Sequence, residues 1–201
     1  MKIIVNIVIL LSVLVLASCK KNSLNSSEYI SFVEDESNNL LKKKAIEGLH
    51  FQMQYCPAEY LLLNEQKTTP VSGQMVDQKK RDNINMLFFK LRINSEGNGD
   101  VLNYNIQSQD DYYARTQYLS YGFEEDIALV NGADTLFPAV FHFERTYGVA
   151  PFADFMIAFD TELKAQQDFQ ILIDDKVFNT GLLKFTYSYP DLQNIPQLKT
   201  N

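Results

Sequence analysis

Apolar and polar residues alternate with a period of two along several short stretches, and the first clean stretch starts at Leu49. Leu49, Phe51, Met53 and Tyr55 fall on one side and His50, Gln52 and Gln54 on the other, the mark of a half-buried strand. Pro57 has no N–H for a ladder, so this strand is expected to end or bend there before residues 60–63 resume it. Residues 64–83 read as a polar loop. Leu87, Phe89, Leu91 and Ile93 alternate next, and the glycine-rich segment 94–100 is expected to turn the chain into a second strand over 101–106, completing a hairpin. Residues 127–130 and 133–137 flank Asn131-Gly132, a dipeptide suited to a type I′ turn. Residues 140–145, 155–159, 169–173 and 182–189 are further short apolar or alternating runs separated by turn signals.

Two segments depart from this rhythm. Asp110 or Asp111 can cap a helix over 111–121, with Gly122 as its left-handed terminator and Tyr113 and Tyr121 on one face. Residues 28–48 read two ways: Tyr29, Ile30, Phe32 and Val33 as a short strand, or 37–47 before Gly48 as a capped helical turn. No repeat of 20 to 50 residues is present, which excludes solenoids and propellers. The pattern predicts a mainly β domain, an antiparallel β-sandwich of immunoglobulin-like or related type, with one short helix near 111–121.

The N-terminus has a different character. Residues 3–16 form an apolar run broken by Asn6 and Ser12, with Lys2 before it. The run fits the apolar region of a signal peptide and falls short of the roughly 20 residues that span a bilayer. It ends in Leu16-Ala17-Ser18-Cys19, which resembles the lipobox of bacterial lipoprotein signal peptides. The resemblance covers these nineteen residues alone and extends to no other part of the chain. It implies that a diacylglyceryl group is placed on the Cys19 thiol, that cleavage occurs before Cys19, and that the new amino group is acylated. Such lipoproteins retained in the inner membrane carry Asp after the cysteine. Lys20 stands there here, so the resemblance points to the outer membrane, with the periplasmic or cell-surface face open.

The chain then divides into a signal peptide (1–18), a lipidated cysteine with a flexible tether (19–27), and one β-rich domain (28–201). Cleavage removes Lys2 as the sole charged residue and moves the formal charge from −7 to −8. An acidic chain with no basic run longer than Lys42-Lys43-Lys44 is a poor match for nucleic acid, whose binding rests on neutralising phosphates. The same balance argues against electrostatic docking on anionic lipid. A domain of this length buries enough surface to fold without disulfides. With Cys19 acylated, Cys56 has no intrachain partner and reads as a buried apolar residue.

Chemistry-bearing sets are sparse. His50 and His142 are the two histidines and Cys56 the one obvious nucleophile. His50 and Cys56 lie on one strand, roughly 20 Å apart if it runs unbroken, and a Cys56–His142 pair across sheets is the residual option. There is no G-x-S-x-G, no H-E-x-x-H and no phosphate-binding glycine loop. The acidic groups Glu124-Glu125-Asp126 and Asp174-Asp175 read as a solvated rim. Asn94, Glu96, Asn98 and Asp100 place oxygens at alternate positions as calcium loops do, but Asn105 stands where a bidentate Glu is needed. An ordinary turn is the better reading. Tyr112, Tyr113, Tyr118, Tyr121 and Tyr147 are candidates for a partner surface. Asp134-Thr135-Leu136 resembles the acceptor triplet of bacterial O-glycosylation, with Thr135 as acceptor.

The expectation from sequence is a lipid-anchored, non-enzymatic binding or structural module of the cell envelope, with a protein partner there and no cofactor. The alternative is a carrier holding a lipid or small hydrophobic ligand in a β-cup, although the G-x-W start of lipocalins is missing. A hydrolase of unrecognised type stands third.

Overall fold

The structure, a computed structural model, describes residues 23–66, 70–97, 99–146, 148–161 and 167–200. Cys19, Asn98 and Tyr147 lie outside them. Two antiparallel sheets pack as a sandwich with short helices added, so the mainly β expectation holds. The larger sheet contains β2 (Leu41–Ile46), β3 (Leu49–Tyr55), β4 (Met86–Ser95), β7 (Val140–Glu144) and β8 (Phe152–Asp160), in the spatial order β2-β3-β4-β8-β7. The smaller contains β5 (Ile127–Asn131), β6 (Asp134–Leu136), β9 (Phe169–Asp175) and β10 (Gly181–Tyr187), in the order β10-β9-β5-β6.

Alternation decides which face goes inward. Phe51, Ile93 and Ala153 stand opposite one another across β3, β4 and β8, as do Met53, Leu91 and Phe155, and all are buried. Aromatic rings join the two sheets. Phe89 meets Phe169 at 6.1 Å and Tyr187 at 5.2 Å, and Tyr187 donates its hydroxyl hydrogen to the carbonyl of Met53 at 2.6 Å. The interior between the sheets is filled by side chains, which is the condition for a uniquely packed core.

The turns differ from expectation in instructive ways. The type I′ geometry occurs at Glu47-Gly48, where both central residues have positive φ (52° and 79°) and Ile46 pairs with Leu49. At the 131–134 hairpin Asn131 pairs with Asp134 and Gly132 alone has positive φ, the pattern of a type II′ turn. The hairpin expected after β4 does not form. β3 and β8 already occupy both sides of β4, and Asp100 instead caps a short 3-10 helix, Val101–Asn103, by accepting from the Leu102 N–H at 2.9 Å.

Helices account for the other corrections. Residues 29–33 are not a strand but part of α1 (Ser26–Glu34), started by a capping box in which Glu28 N–H donates to Asn25 Oδ1 at 3.0 Å and Asn25 N–H to Glu28 Oε2 at 3.1 Å. Residues 23–27, assigned above to a flexible tether, are therefore ordered. Ser23–Leu24 (β1) also pairs in parallel with Gln197–Leu198 (β11) near the other end of the chain. Residues 60–63 belong to α2 (Ala58–Glu65), and the supposed loop 64–83 holds α3 (Gly73–Asp82), capped by Ser72. The expected helix is α4 (Gln109–Tyr121). Its cap is Ser108 rather than an Asp, and Gly122 closes it at φ −123°, not in the left-handed region. A last short helix, α5 (Tyr189–Gln193), leads to β11.

Candidate functional site

The outer face of the larger sheet is polar along β3 and the second half of β4, where the even positions are His50, Gln52, Gln54, Lys90, Arg92 and Asn94. Arg92 grips the buried carboxylate of Asp154 with two hydrogen bonds, Nε at 2.7 Å and Nη2 at 2.6 Å, and lies 3.7 Å from the centre of the Phe152 ring. Such a forked, stacked pair fixes the middle of this face. Beside it, Glu34 accepts from the Tyr60 hydroxyl at 2.7 Å, and these two line a shallow cleft of about 270 Å³ with Gln54 and Lys90.

A second pocket, of about 310 Å³, lies where α1, the end of β3, the start of α2, the end of α3, the start of β4 and the C-terminal segment converge. Its walls include Tyr29, Cys56, Glu59, Lys80, Asn83 and Gln197, with Met86, Phe88, Leu192 and Ile195 as apolar surface. Two buried polar atoms in these walls, Tyr29 Oη and Asn83 Nδ2, have no hydrogen-bond partner. That is costly in a folded interior. Glu59 is almost fully buried in the first turn of α2 and forms an ion pair with Lys80, Nζ to Oε1 at 2.6 Å. Burial, aided by the negative charge of Glu59, pushes the Tyr29 phenol far above its ordinary range, so it stays protonated and offers a hydrogen.

Cys56 lines the same pocket but is buried, and its thiol faces the carbonyl of Gln54 at 3.5 Å. Burial pushes its pKa from 9.0 to about 12, against a smaller lowering by Lys90. This is the opposite of what activates a nucleophile. His142 lies on β7 opposite Met156 and is not among the residues lining this pocket.

The other sequence candidates are scattered. In the supposed calcium loop, Asn94 is a strand residue facing Gln52, Glu96 sits 3.7 Å from His50, and Asp100 is used as the 3-10 cap. Among the described residues no group of three or more His, Cys, Asp or Glu is placed to hold a metal. Of the tyrosines, Tyr113 and Tyr121 are exposed, whereas Tyr112 and Tyr118 pack against the core. Thr135 lies exposed on the edge strand β6. Asp175 is not part of a solvated rim. It is buried and accepts from the N–H groups of Val177, Phe178 and Thr180 and from the Thr180 hydroxyl, organising the turn between β9 and β10.

Lysines close the open side of the sandwich, where the edge strands β2 and β10 meet. Lys42 and Lys44 take inward positions opposite Met53 and Phe51, and their ammonium groups lie 5.7 Å and 5.8 Å from the ring centres of Tyr187 and Phe185. Inward-pointing charge on an edge strand discourages pairing with another chain. The basic run that stood out in the sequence thus has a structural use.

No family model and no curated protein matches this chain. Among solved structures, the crystal structure of a DUF4426 family protein from Pseudomonas aeruginosa PAO1 overlaps 74% of this chain and 94% of its own, with a TM-score of 0.37 and 6% identity. A likeness that distant carries no argument about fold or activity.

Proposed function

We propose that this protein is a lipid-anchored component of the bacterial outer membrane whose sandwich is a non-enzymatic binding module. The observation that carries the reading is the pocket of about 310 Å³ where helices, strand ends and the C-terminal segment converge, lined by Tyr29, Glu59, Lys80 and Asn83 among apolar side chains. A concave site of that size with a few polar side chains among apolar ones suits recognition of a ligand or of a protein segment. The sealed thiol of Cys56 and the separation of His142 from the pocket support binding over nucleophilic catalysis. The ring-filled interior supports a module over a carrier with an apolar β-cup.

The anchor follows from the lipobox resemblance at Cys19. Ser23, four positions later, belongs to strand β1, and four residues span at most about 14 Å at roughly 3.4 Å each. Partners on this reading are components at or next to the bilayer. Among the described residues no helix is long and apolar enough to cross a membrane. The test is intact-mass analysis of the protein extracted from native membranes, followed by mild cross-linking. The expected result is a mature chain beginning at acylated Cys19 that co-purifies with a specific envelope component. An unacylated N-terminus, or repeated failure to recover any partner above background, overturns the proposal.

A further inference from the structure

The basic residues of this acidic chain are unevenly spread. Lys42, Lys43, Lys44 and Lys184 line one open cleft of about 310 Å³ where the edge strands β2 and β10 meet, and Glu36 is the one acidic residue in its lining. Four ammonium groups against one carboxylate leave a local charge of +3, in a chain whose net charge is −7. Charges are felt over about 8 Å at physiological salt, so the local balance decides what binds here. The lysine heads are accessible and under-used. Lys184 is exposed on β10, Lys43 is half-exposed and pairs with Glu36 at 3.3 Å, and Lys42 donates to Asn39 Oδ1 at 3.3 Å. Lys44 faces the Phe185 ring, and among the described residues neither it nor Lys184 has a hydrogen-bond or ion-pair partner. Two exposed neutral groups add donors. The amide of Asn39 keeps its hydrogens while its oxygen serves Lys42, and the Thr186 hydroxyl accepts from Gln170 Nε2 at 3.3 Å and keeps its own hydrogen.

We propose that this cleft, which shares no lining residue with the pocket described above, binds a phosphate-bearing group, best a diphosphate. A lysine head is a point charge that meets a phosphate oxygen from any direction, whereas a planar carboxylate is best matched by the fork of an arginine. The lining holds four lysines and no arginine. One phosphate carries about −1.5 to −2 charge and three acceptor oxygens, so two linked phosphates come close to balancing the cleft and reach more of its donors than one does. Lys42 and Lys44 already stand 5.7 Å and 5.8 Å from the ring centres of Tyr187 and Phe185. Part of the ordering cost of binding is thus met before the ligand arrives. Two sources present this chemistry, a soluble phosphorylated compound and the phosphate headgroup of a membrane lipid.

The experiment is calorimetric titration, at low salt, of the protein extracted from native membranes into a non-ionic detergent. The probes are inorganic pyrophosphate, inorganic phosphate and sulfate. The expected result is saturable binding of pyrophosphate, with phosphate and sulfate each weaker by about tenfold or more. Lys184→Gln and Lys44→Gln should each weaken pyrophosphate binding several-fold while the melting temperature stays within a few degrees, which separates loss of contact from loss of fold. Lys90→Gln removes the same charge from the outer face of the larger sheet, outside the cleft, and should leave binding unchanged. Displacement of pyrophosphate by dihexanoyl phosphatidic acid and by glycerol 3-phosphate distinguishes the sources. Tighter binding of the short-chain lipid assigns the cleft to a membrane headgroup, and equal or weaker binding assigns it to a soluble compound. Equal affinity for pyrophosphate and sulfate, a loss in Lys90→Gln that matches the loss in Lys184→Gln, or no saturable binding of any probe overturns the proposal.

Discussion

Asp175 offers the sharpest structural prediction because its carboxylate holds one turn through four hydrogen bonds. Oδ1 accepts from the N–H groups of Val177 and Phe178, each at 3.0 Å, and Oδ2 accepts from the Thr180 N–H at 2.9 Å and the Thr180 hydroxyl at 2.5 Å. Asp175→Asn keeps an oxygen for the first pair and sets an amide NH2 against the second. The Thr180 hydroxyl can rotate to accept from it, but the Thr180 N–H then faces a donor. Losing one charge-assisted bond and stranding one backbone donor costs about 2–4 kcal/mol. For a chain of this size that lowers Tm by about 4–16 °C. Asp175→Ala, which loses all four bonds, should fall at or beyond the upper end. Calorimetry gives the magnitude, and amide hydrogen exchange gives the location. In Asp175→Asn the Thr180 amide should exchange much faster while the Phe178 amide changes little. A Tm within about 2 °C of wild type, or equal acceleration at Thr180 and Phe178, would refute the reasoning.

Three further outcomes follow from single features. Tyr187→Phe removes the hydroxyl that donates to Met53 across the sandwich and should cost about 1–2 kcal/mol in urea unfolding without changing the m-value; an unchanged midpoint would contradict the cross-sheet tie. The buried Cys56 thiol, with its pKa raised from 9.0 to about 12, contributes stability that is complete below pH 9 and declines as pH rises through that interval. The stability gap between wild type and Cys56→Ala should therefore narrow from pH 8 to pH 11, and a constant or widening gap would tell against it. Replacing Lys42 and Lys44 together by Val removes the inward charges at the open edge and should produce dimers or larger species by light scattering. Replacing the exposed Lys43 should not, and identical monomeric behaviour of both variants would remove the edge-protection role.

How far the sequence could be read depended on whether neighbours or distant partners decide a segment. The strands at 49–55, 86–95 and 169–175 were legible because one face is buried and the period of two survives intact. The helix α1 was not, although Asn25 and Glu28 form a capping box, because the polar residues around them resembled a tether. Tyr29 and Val33, four apart, then read as part of a strand when they are the buried stripe of a helix. Leu61-Leu62-Leu63 is a continuous apolar run, which gives no period to read, and α3 buries Val76 alone, so it lacks an apolar stripe. The pocket was illegible for a different reason. Tyr29, Glu59, Lys80 with Asn83, and Gln197 come from four separate parts of the chain and meet only in the fold. Cys56 was the one member visible beforehand, and its buried, proton-holding thiol belongs to the wall rather than to chemistry.

On the proposed function, the pocket lined by Tyr29 and Asn83 is where this protein binds. A photoreactive amino acid placed at Gln197, an exposed residue of the pocket rim, and separately at Leu182, exposed on β10 away from it, tests this in living cells. The account predicts a discrete cross-linked product from position 197 that is lost when Asn83 is also replaced by Ala, and no such product from position 182. The same products from both positions, or a product at 197 that is indifferent to Asn83, would contradict it.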